Sequence, residues 1–281
     1  MAKTYYYLRF PQGKPKCITL SYDDGVDQDI RLIALMEQYG FKGTFNLNYG
    51  KIAPEGVAYE PGRYHRPMPL SLCKKTYASP NAEVAVHGLT HPWLERLTAP
   101  EVMTEIVEDR KGLEKEFGGV IRGMAYPYGT HSDLVVDVLK LCGIAYARTT
   151  KSTERFDLPK DWLRLPATCH HANPKLMDLA EQFDALTVKK DPALFYLWGH
   201  TYEFERDDNW EIIEDFFRLL TGKADVWYAT NIELYDYIKA YEALVYSADG
   251  KRVYNPAATD VWLGNEQSAV CIPAGKTVDL Q

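Results

Sequence analysis

Short apolar runs rich in β-branched and aromatic residues alternate along this chain with longer amphipathic stretches. The first run covers residues 17–21 and is followed at residues 28–39 by apolar positions with helical spacing, which end at Gly40. Alternation of this kind is typical of repeated βα units around a parallel sheet. Further strands are predicted at residues 44–47, 83–86, 123–126, 144–147, 163–165, 194–198 and 226–228, and further helices at 71–78, 98–117, 134–141, 174–186, 210–220 and 232–241. The pattern predicts an α/β fold with a barrel-like number of strands.

The segment from residue 244 onward has a different pattern. Residues 245–254 are typical of a β-hairpin, and residues 272–278 of a second turn between strands. We therefore predict a barrel over residues 1–243 and a small C-terminal β appendage over residues 244–281. The appendage could pack on the barrel, close a dimer or touch a ligand, and packing is the simplest of these roles.

Composition narrows the classes of partner. With 281 residues and 46% hydrophobic content, the chain can bury one large α/β core. Its net charge of −7 argues against a nucleic-acid or anionic-membrane surface, because both favour basic patches. The five cysteines are scattered without a C-x-x-C pair, which favours reduced thiols. Residues 1–16 lack the apolar region of a signal peptide, and no apolar run is long enough to span a bilayer. We therefore expect a cytoplasmic protein. The sequence does not define its oligomeric state.

Two adjacent carboxylates, Asp23 and Asp24, stand in the sequence Ser-Tyr-Asp-Asp-Gly directly after the first predicted strand. Like charges this close resist burial unless a cation or a proton neutralises them. A metal ion would meet that need. The alternative is an ordinary turn, since Asp-Gly is a common turn dipeptide.

A second motif, His-Gly-Leu-Thr-His, places His87 and His91 after the predicted strand at residues 83–86. If the motif forms one helical turn, both imidazoles face the same side and can reach one ion. Alone, the pair could equally be a chance occurrence or a surface cap. One aspartate with two histidines is, however, a common ligand set for zinc or a related divalent ion, with positions left open for water and substrate.

Other polar residues also follow predicted strands. Tyr126-Pro127-Tyr128-Gly129 follows the strand at residues 123–126, and His200 follows the strand at residues 194–198. In a βα barrel the carboxyl ends of the strands share one face, where active sites are built. We therefore expect these residues to lie close to the Asp23-Asp24 motif and to the motif that contains His87 and His91.

Together these motifs resemble those of the polysaccharide deacetylase family, the chitooligosaccharide-deacetylase homology domain of carbohydrate esterases, over roughly residues 16–241. The resemblance implies a distorted barrel of about seven βα units. It also implies the following roles: Asp24, His87 and His91 hold the metal, Asp23 is the general base, His200 is the general acid, and the backbone N–H of Tyr128 binds the oxyanion. Trp198 would form an apolar wall for the acetyl methyl group, or else belong to the barrel core.

The chain also departs from the family pattern. The family usually has an arginine, paired with the catalytic base, where this chain has Ala125. Arg164 could supply the guanidinium instead, or it could cap one end of the barrel. The fourth motif is poorly matched, and Asp161-Trp162 is its best candidate. His170 and His171 could line a sugar site or lie on the solvated surface.

The leading hypothesis is a metal-dependent deacetylase that hydrolyses N-acetyl or O-acetyl groups on a carbohydrate. Zn²⁺ is the expected ion, with Co²⁺, Ni²⁺ and Mn²⁺ as alternatives. An amide hydrolase acting on a small non-sugar molecule is the second hypothesis, because the same machinery cleaves any accessible amide. A non-catalytic carbohydrate-binding protein is the third, and the presence of both Asp23 and His200 counts against it.

Overall fold

The strands form one nine-stranded parallel sheet and two three-stranded sheets in a computed structural model that describes residues 5–265 and 268–280. The strands are β1 (Tyr7–Arg9), β2 (Lys16–Asp23), β3 (Gly43–Leu47), β4 (Ala82–Val86), β5 (Gly123–Ala125), β6 (Tyr146–Ser152), β7 (Leu165–Ala167), β8 (Cys169–His170), β9 (Ala193–Gly199), β10 (Val226–Tyr228), β11 (Val245–Tyr246), β12 (Arg252–Tyr254), β13 (Val261–Gly264), β14 (Ala269–Ile272) and β15 (Thr277–Asp279). The helices are α1 (Asp29–Tyr39), α2 (Leu70–Thr76), α3 (Ala99–Phe117), α4 (Asp133–Leu141), α5 (Leu176–Ala185), α6 (Thr201–Arg206), α7 (Glu211–Leu220) and α8 (Asn231–Glu242).

The large sheet curves until its two ends meet. Its order is β7-β6-β5-β4-β3-β2-β9-β8, and β10 pairs with β2. Only Thr168 separates β7, which pairs with β6, from β8, which pairs with β9. The backbone N–H of Thr168 donates to the carbonyl of Tyr196 in β9 at 2.8 Å. The β7–β8 segment therefore joins both ends of the sheet, and the predicted α/β fold with a distorted, barrel-like parallel sheet is confirmed.

Local sequence signals account for several of these elements. All eight residues of β2 are buried, as expected for a parallel strand covered on both faces. Helix α1 ends at Gly40, whose φ of 75° lies in the left-handed region that glycine adopts without strain. Thr98 and Glu101 form the predicted capping box at the start of α3. These signals fix the ends of the elements that carry the polar motifs.

Two of the predicted strands differ clearly in the structure, and β1, β8, β13 and α6 are not among the predicted elements. The predicted strand at residues 163–165 is wrong, because Trp162–Arg164 forms a 3₁₀ turn and β7 begins only at Leu165. Strand β6 is longer than predicted and continues to Ser152. This extension places Arg148 inside the barrel wall.

The C-terminal region forms two small antiparallel sheets. The predicted hairpin at residues 245–254 is present as β11 and β12, and β15 pairs with β12. The other sheet pairs β13 with β14 and with the N-terminal strand β1. The division at residue 243 stays a prediction, and β1 pairs across it. Within the described residues, no helix has the length and apolar content needed to span a bilayer.

Candidate active site

Polar side chains from separate strand ends meet at the carboxyl edge of the barrel. Asp23 ends β2, His87 follows β4, and His200 follows β9. His87 Nε2 and His200 Nε2 each lie 3.8 Å from Asp23 Oδ2. Asp23 therefore has two imidazoles beside one of its oxygens, as expected if the motifs share one face.

Asp24, His87 and His91 form a set of donors that could hold a metal ion. Their ligand atoms all lie within 4.8 Å of one another, and Asp24 Oδ1 is 3.7 Å from His87 Nε2 and 3.8 Å from His91 Nε2. His87 Nδ1 lies 2.8 Å from the Ala125 carbonyl oxygen, so Nδ1 carries the proton and Nε2 presents its lone pair to the site. Burial lowers the pKa of His91 to about 4, which keeps this imidazole neutral, as metal binding requires. The donor set fits a divalent ion.

The segment that joins the two histidines is not the helical turn that the spacing suggests. Gly88 has a φ of 76° and His91 a φ of 59°, so the chain passes twice through the left-handed region. This tight turn brings the ring centroids of His87 and His91 to 4.8 Å. The buried carboxylate of Asp109 in α3 accepts the backbone N–H of His87 at 3.0 Å and fixes the start of the turn.

Asp23 is held by two donors in a buried environment. Its exposed fraction is 3%, Asn46 Nδ2 donates to Oδ1 at 2.9 Å, and Arg148 Nη2 donates to Oδ2. Arg148 is itself fully buried on β6 and also donates through Nε to Ser21 Oγ at 3.1 Å. Burial alone would raise the pKa of Asp23, but the Arg148 guanidinium and the nearby imidazoles hold that pKa below its usual range. Asp23 is thus an ionised carboxylate in a fixed orientation.

The prediction that Arg164 orients Asp23 is wrong. The Arg164 guanidinium instead donates to Asp161 at 2.8 Å and to Asp133 at 2.5 Å, in an exposed cluster. Asp161, the candidate for the fourth motif, is therefore paired with Arg164 in this cluster. The arginine that contacts Asp23 is Arg148 of β6. It lies beside Ala125 of β5, the position where the family usually has its arginine, because Ala125 and Arg148 are direct partners in the parallel register.

Glu203 of α6 is the carboxylate beside His200. Glu203 Oε2 lies 3.4 Å from His200 Nδ1, while His200 Nε2 is directed at Asp23. Burial alone would lower the pKa of His200, but Glu203 and the charges of Asp23 and Asp24 raise that pKa above its usual value. A raised pKa extends upward the pH range over which His200 keeps its proton, which suits a general acid.

The same Glu203 oxygen faces two further imidazoles. His170 Nε2 lies at 3.1 Å and His171 Nε2 at 3.2 Å. The backbone N–H of Ala172 donates to His170 Nδ1 at 3.1 Å, so the His170 proton sits on Nε2 and points at Glu203. The ligand atoms of His170, His200 and Glu203 lie close enough together for a metal site. Because the Nε2 proton of His170 points at Glu203, however, this group is a carboxylate surrounded by imidazole donors.

The three other residues that were predicted to contact substrate differ in their exposure, and the roles of Trp198 and of the Tyr128 backbone N–H stay predictions. His171 is only 3% exposed, so it neither lines an open sugar site nor lies on the solvated surface. Trp198 is 7% exposed and covers the buried Arg148, whose guanidinium carbon lies 4.4 Å from the ring centroid. Tyr128 is half exposed and stacks on Trp93 with ring centroids 3.9 Å apart, beside the histidine motif. The Tyr128–Trp93 pair forms an exposed aromatic surface.

Two charged residues of this site, Arg148 and Glu203, are missing from the sequence-based prediction. Each nevertheless carries a local signal. Arg148 directly follows the predicted strand at residues 144–147, and a charge that continues a buried strand needs a partner. Glu203 stands three residues after His200, which is the spacing of a capping box at a helix start.

Comparisons with known proteins agree with the fold and with the family that the motifs resemble. A family model described as polysaccharide deacetylase matches residues 10–147, and a search of curated proteins gave no match. The fold is similar to that of a protein from Mycobacterium smegmatis described as a polysaccharide deacetylase, at 13% identity over 84% of this chain and 94% of that chain, with a TM-score of 0.58. It is also similar to a family 4 carbohydrate esterase from Streptomyces lividans (16% identity, 76% and 91% coverage, TM-score 0.51). A third similar structure is the Xyl-CE4 domain of a multidomain xylanase from the hindgut metagenome of Trinervitermes trinervoides (15% identity, 80% and 92% coverage, TM-score 0.51).

Proposed function

We propose that this chain, whose residues 10–147 match the polysaccharide deacetylase family model, is a metal-dependent hydrolase that removes acetyl groups from a carbohydrate. The observation that carries the proposal is the arrangement around Asp23. An ionised carboxylate, held by Arg148, lies 3.8 Å from the imidazole of His200 and directly beside the donor set of Asp24, His87 and His91. A base, an acid and a metal site thus share one edge of the barrel.

Asp24, His87 and His91 would hold the ion. Zn²⁺ suits two imidazoles and one carboxylate with open positions, and Co²⁺, Ni²⁺ and Mn²⁺ are the alternatives. When bound, the ion supplies a Lewis acid that polarises the acetyl carbonyl and lowers the pKa of water.

The protein groups then divide the proton transfers. Asp23 accepts a proton from the water that attacks the acetyl carbon, and Asn46 and Arg148 keep its oxygens in place. The backbone N–H of Tyr128 donates to the oxyanion. His200 Nε2 donates a proton to the leaving nitrogen or oxygen as its bond to the acetyl carbon breaks. The products are acetate and the free amine or hydroxyl.

The exposed aromatic pair supports a carbohydrate substrate. Tyr128 and Trp93 are stacked nearly parallel, with 6° between their planes, and the Tyr128 ring lies 4.6 Å from that of His91. Each ring covers one face of the other, and the Arg96 guanidinium carbon lies over the Trp93 ring, 4.7 Å from its centroid. The exposed parts of the pair therefore offer a sugar apolar contact area beside the site.

Acetate release distinguishes the candidate functions. Zinc-loaded protein is tested on N-acetylated oligosaccharides, O-acetylated oligosaccharides and small non-sugar amides, and acetate and amine are both quantified. We expect acetate from at least one of the two sugar classes. Amine release from the non-sugar amides alone would favour the small-molecule amide hydrolase, and no product from any substrate would favour a binding protein.

Glu203→Gln is expected to lower kcat about 10-fold and to move the alkaline limb of the pH–rate profile to lower pH. The reason is that Glu203 helps to raise the pKa of His200, and a general acid is active only below its pKa. The measurement is kcat between pH 5 and 9, with Glu211→Gln on the exposed surface of α7 as the matched control. An alkaline limb that stays in place would show that Glu203 does not tune His200.

A further inference from the structure

The two oxygens of Asp24 face different histidines. Oδ1 is directed at His87 and His91, 3.7 Å and 3.8 Å away, and this is the oxygen that would bind the ion. Oδ2 lies 3.3 Å from Nε2 of His65, a residue outside the sequence motifs. A φ of 79° at Asp24 turns its side chain into this position. The second oxygen of the ligating carboxylate therefore has its own partner.

His65 belongs to the long loop between β3 and α2, and neighbouring contacts fix it there. Arg66 donates to both carboxylate oxygens of Glu205 in α6, at 2.7 Å and 2.6 Å, and through Nε to Asp27 at 2.7 Å. The backbone N–H of Asp27 donates to the Arg66 carbonyl at 3.0 Å. Such a bidentate pair is both strong and directional. The loop is thus bound to the turn after β2 on one side and to α6 on the other.

Two neighbouring contacts hold the same part of the loop. The side chain of Gln28 donates to the Tyr64 carbonyl at 2.7 Å and to Glu205 at 2.8 Å. The His65 ring packs edge-on against Tyr202 of α6, with centroids 5.3 Å apart. His65 is therefore confined by residues on both sides rather than carried on a free loop.

We propose that His65 orients the ligating carboxylate of Asp24, and that Arg66 holds His65 in place, so that this loop sets the affinity of the metal site. The proposal rests on the proposed function, since it takes Asp24 as a ligand. A donor on the second oxygen keeps the carboxylate from rotating away from the ion, and loss of such a partner typically costs 10- to 100-fold in metal affinity. His65 is a positioning residue, because it contacts the second oxygen of Asp24 and is not itself one of the three grouped ligands.

The test measures zinc affinity directly. Metal-free protein is titrated with Zn²⁺ in competition with a chromophoric chelator, for the wild type, His65→Ala, His65→Gln and Arg66→Ala. We expect a Kd about 10- to 100-fold weaker for His65→Ala, and a smaller loss for Arg66→Ala. His65→Gln keeps an N–H donor and should recover most of the affinity. Tyr64→Ala is the control, because Tyr64 is bound through its backbone carbonyl.

The outcomes separate this inference from the proposed function. Wild-type affinity in His65→Ala would overturn the role of His65 while leaving the metal site intact. Equal weakening in His65→Gln and His65→Ala, together with an altered absorption spectrum of the Co²⁺-loaded protein, would also overturn it, because His65 would then be a ligand itself. Failure of the wild type to bind about one Zn²⁺ would instead refute the metal site on which the proposed function depends.

Discussion

Asp23→Asn is expected to lower kcat by about 10²- to 10⁴-fold while the protein keeps its metal, because the amide has nearly the same shape but cannot accept a proton. Both oxygens of Asp23 accept hydrogen bonds, from Asn46 and from Arg148, so the asparagine amide keeps the contact of its oxygen with Arg148 and loses the hydrogen bond from Asn46. The measurements are kcat on the best acetylated substrate and metal content by elemental analysis.

His87→Ala is the matched contrast to this substitution. It removes one of the three proposed ligands, so we expect loss of both metal and activity. If Asp23→Asn loses the metal while Asp24→Asn keeps it, the roles of the two carboxylates are exchanged. If His87→Ala retains the metal content of the wild type, the ligand assignment is wrong.

Arg148→Lys is expected to lower kcat by about 10²-fold and to move the acidic limb of the pH–rate profile to higher pH. The guanidinium bridges Asp23 and Ser21, and a lysine ammonium on a flexible stem cannot reproduce both contacts. Arg148 also lowers the pKa of Asp23, so its loss makes the base easier to protonate and extends the inactive range upward in pH. The measurement is kcat from pH 4 to 8, with metal content determined on the same samples.

Three further variants make this prediction specific. Arg148→Ala leaves a buried carboxylate without its cation, which should lower the free energy of unfolding by about 3–5 kcal/mol. Because Ala125 faces Arg148 across the β5–β6 pair, adding Ala125→Arg to Arg148→Ala should restore part of the activity. Arg164→Ala is the control and should keep full activity, since Arg164 pairs only with exposed acids. An unmoved acidic limb in Arg148→Lys would mean that Arg148 is purely structural.

The sequence predicts the fold and the meeting point of the motifs because both depend on local patterns. Apolar runs identify the strands, and parallel strands place their carboxyl ends on one edge, so Asp23, His87 and His200 can be brought together without knowledge of any contact. The end of a helix can also be predicted from local sequence, since a single glycine such as Gly40 adopts the left-handed conformation that ends helix α1.

The partners of these residues cannot be predicted in the same way. Arg148 lies 125 positions from Asp23 along the chain, and only the register of β5 and β6 shows that it stands beside Ala125. His171 is buried because Phe204 of α6 stacks on its ring, with centroids 4.1 Å apart, although the neighbours of His171 in sequence are polar enough for a surface loop. The pairing of β1 with β13 joins segments from opposite ends of the chain. Long-range packing decides each of these features.

Metal removal and restoration tests the central claim most directly. The wild-type protein is treated with a chelator, dialysed, and assayed for acetate release from acetylated oligosaccharides before and after one equivalent of Zn²⁺ is added. We expect release to fall to background and to recover with added zinc in the wild type but not in Asp23→Asn. Undiminished acetate release from metal-free protein, or full recovery in Asp23→Asn, would contradict a metal-dependent deacetylase with Asp23 as its base.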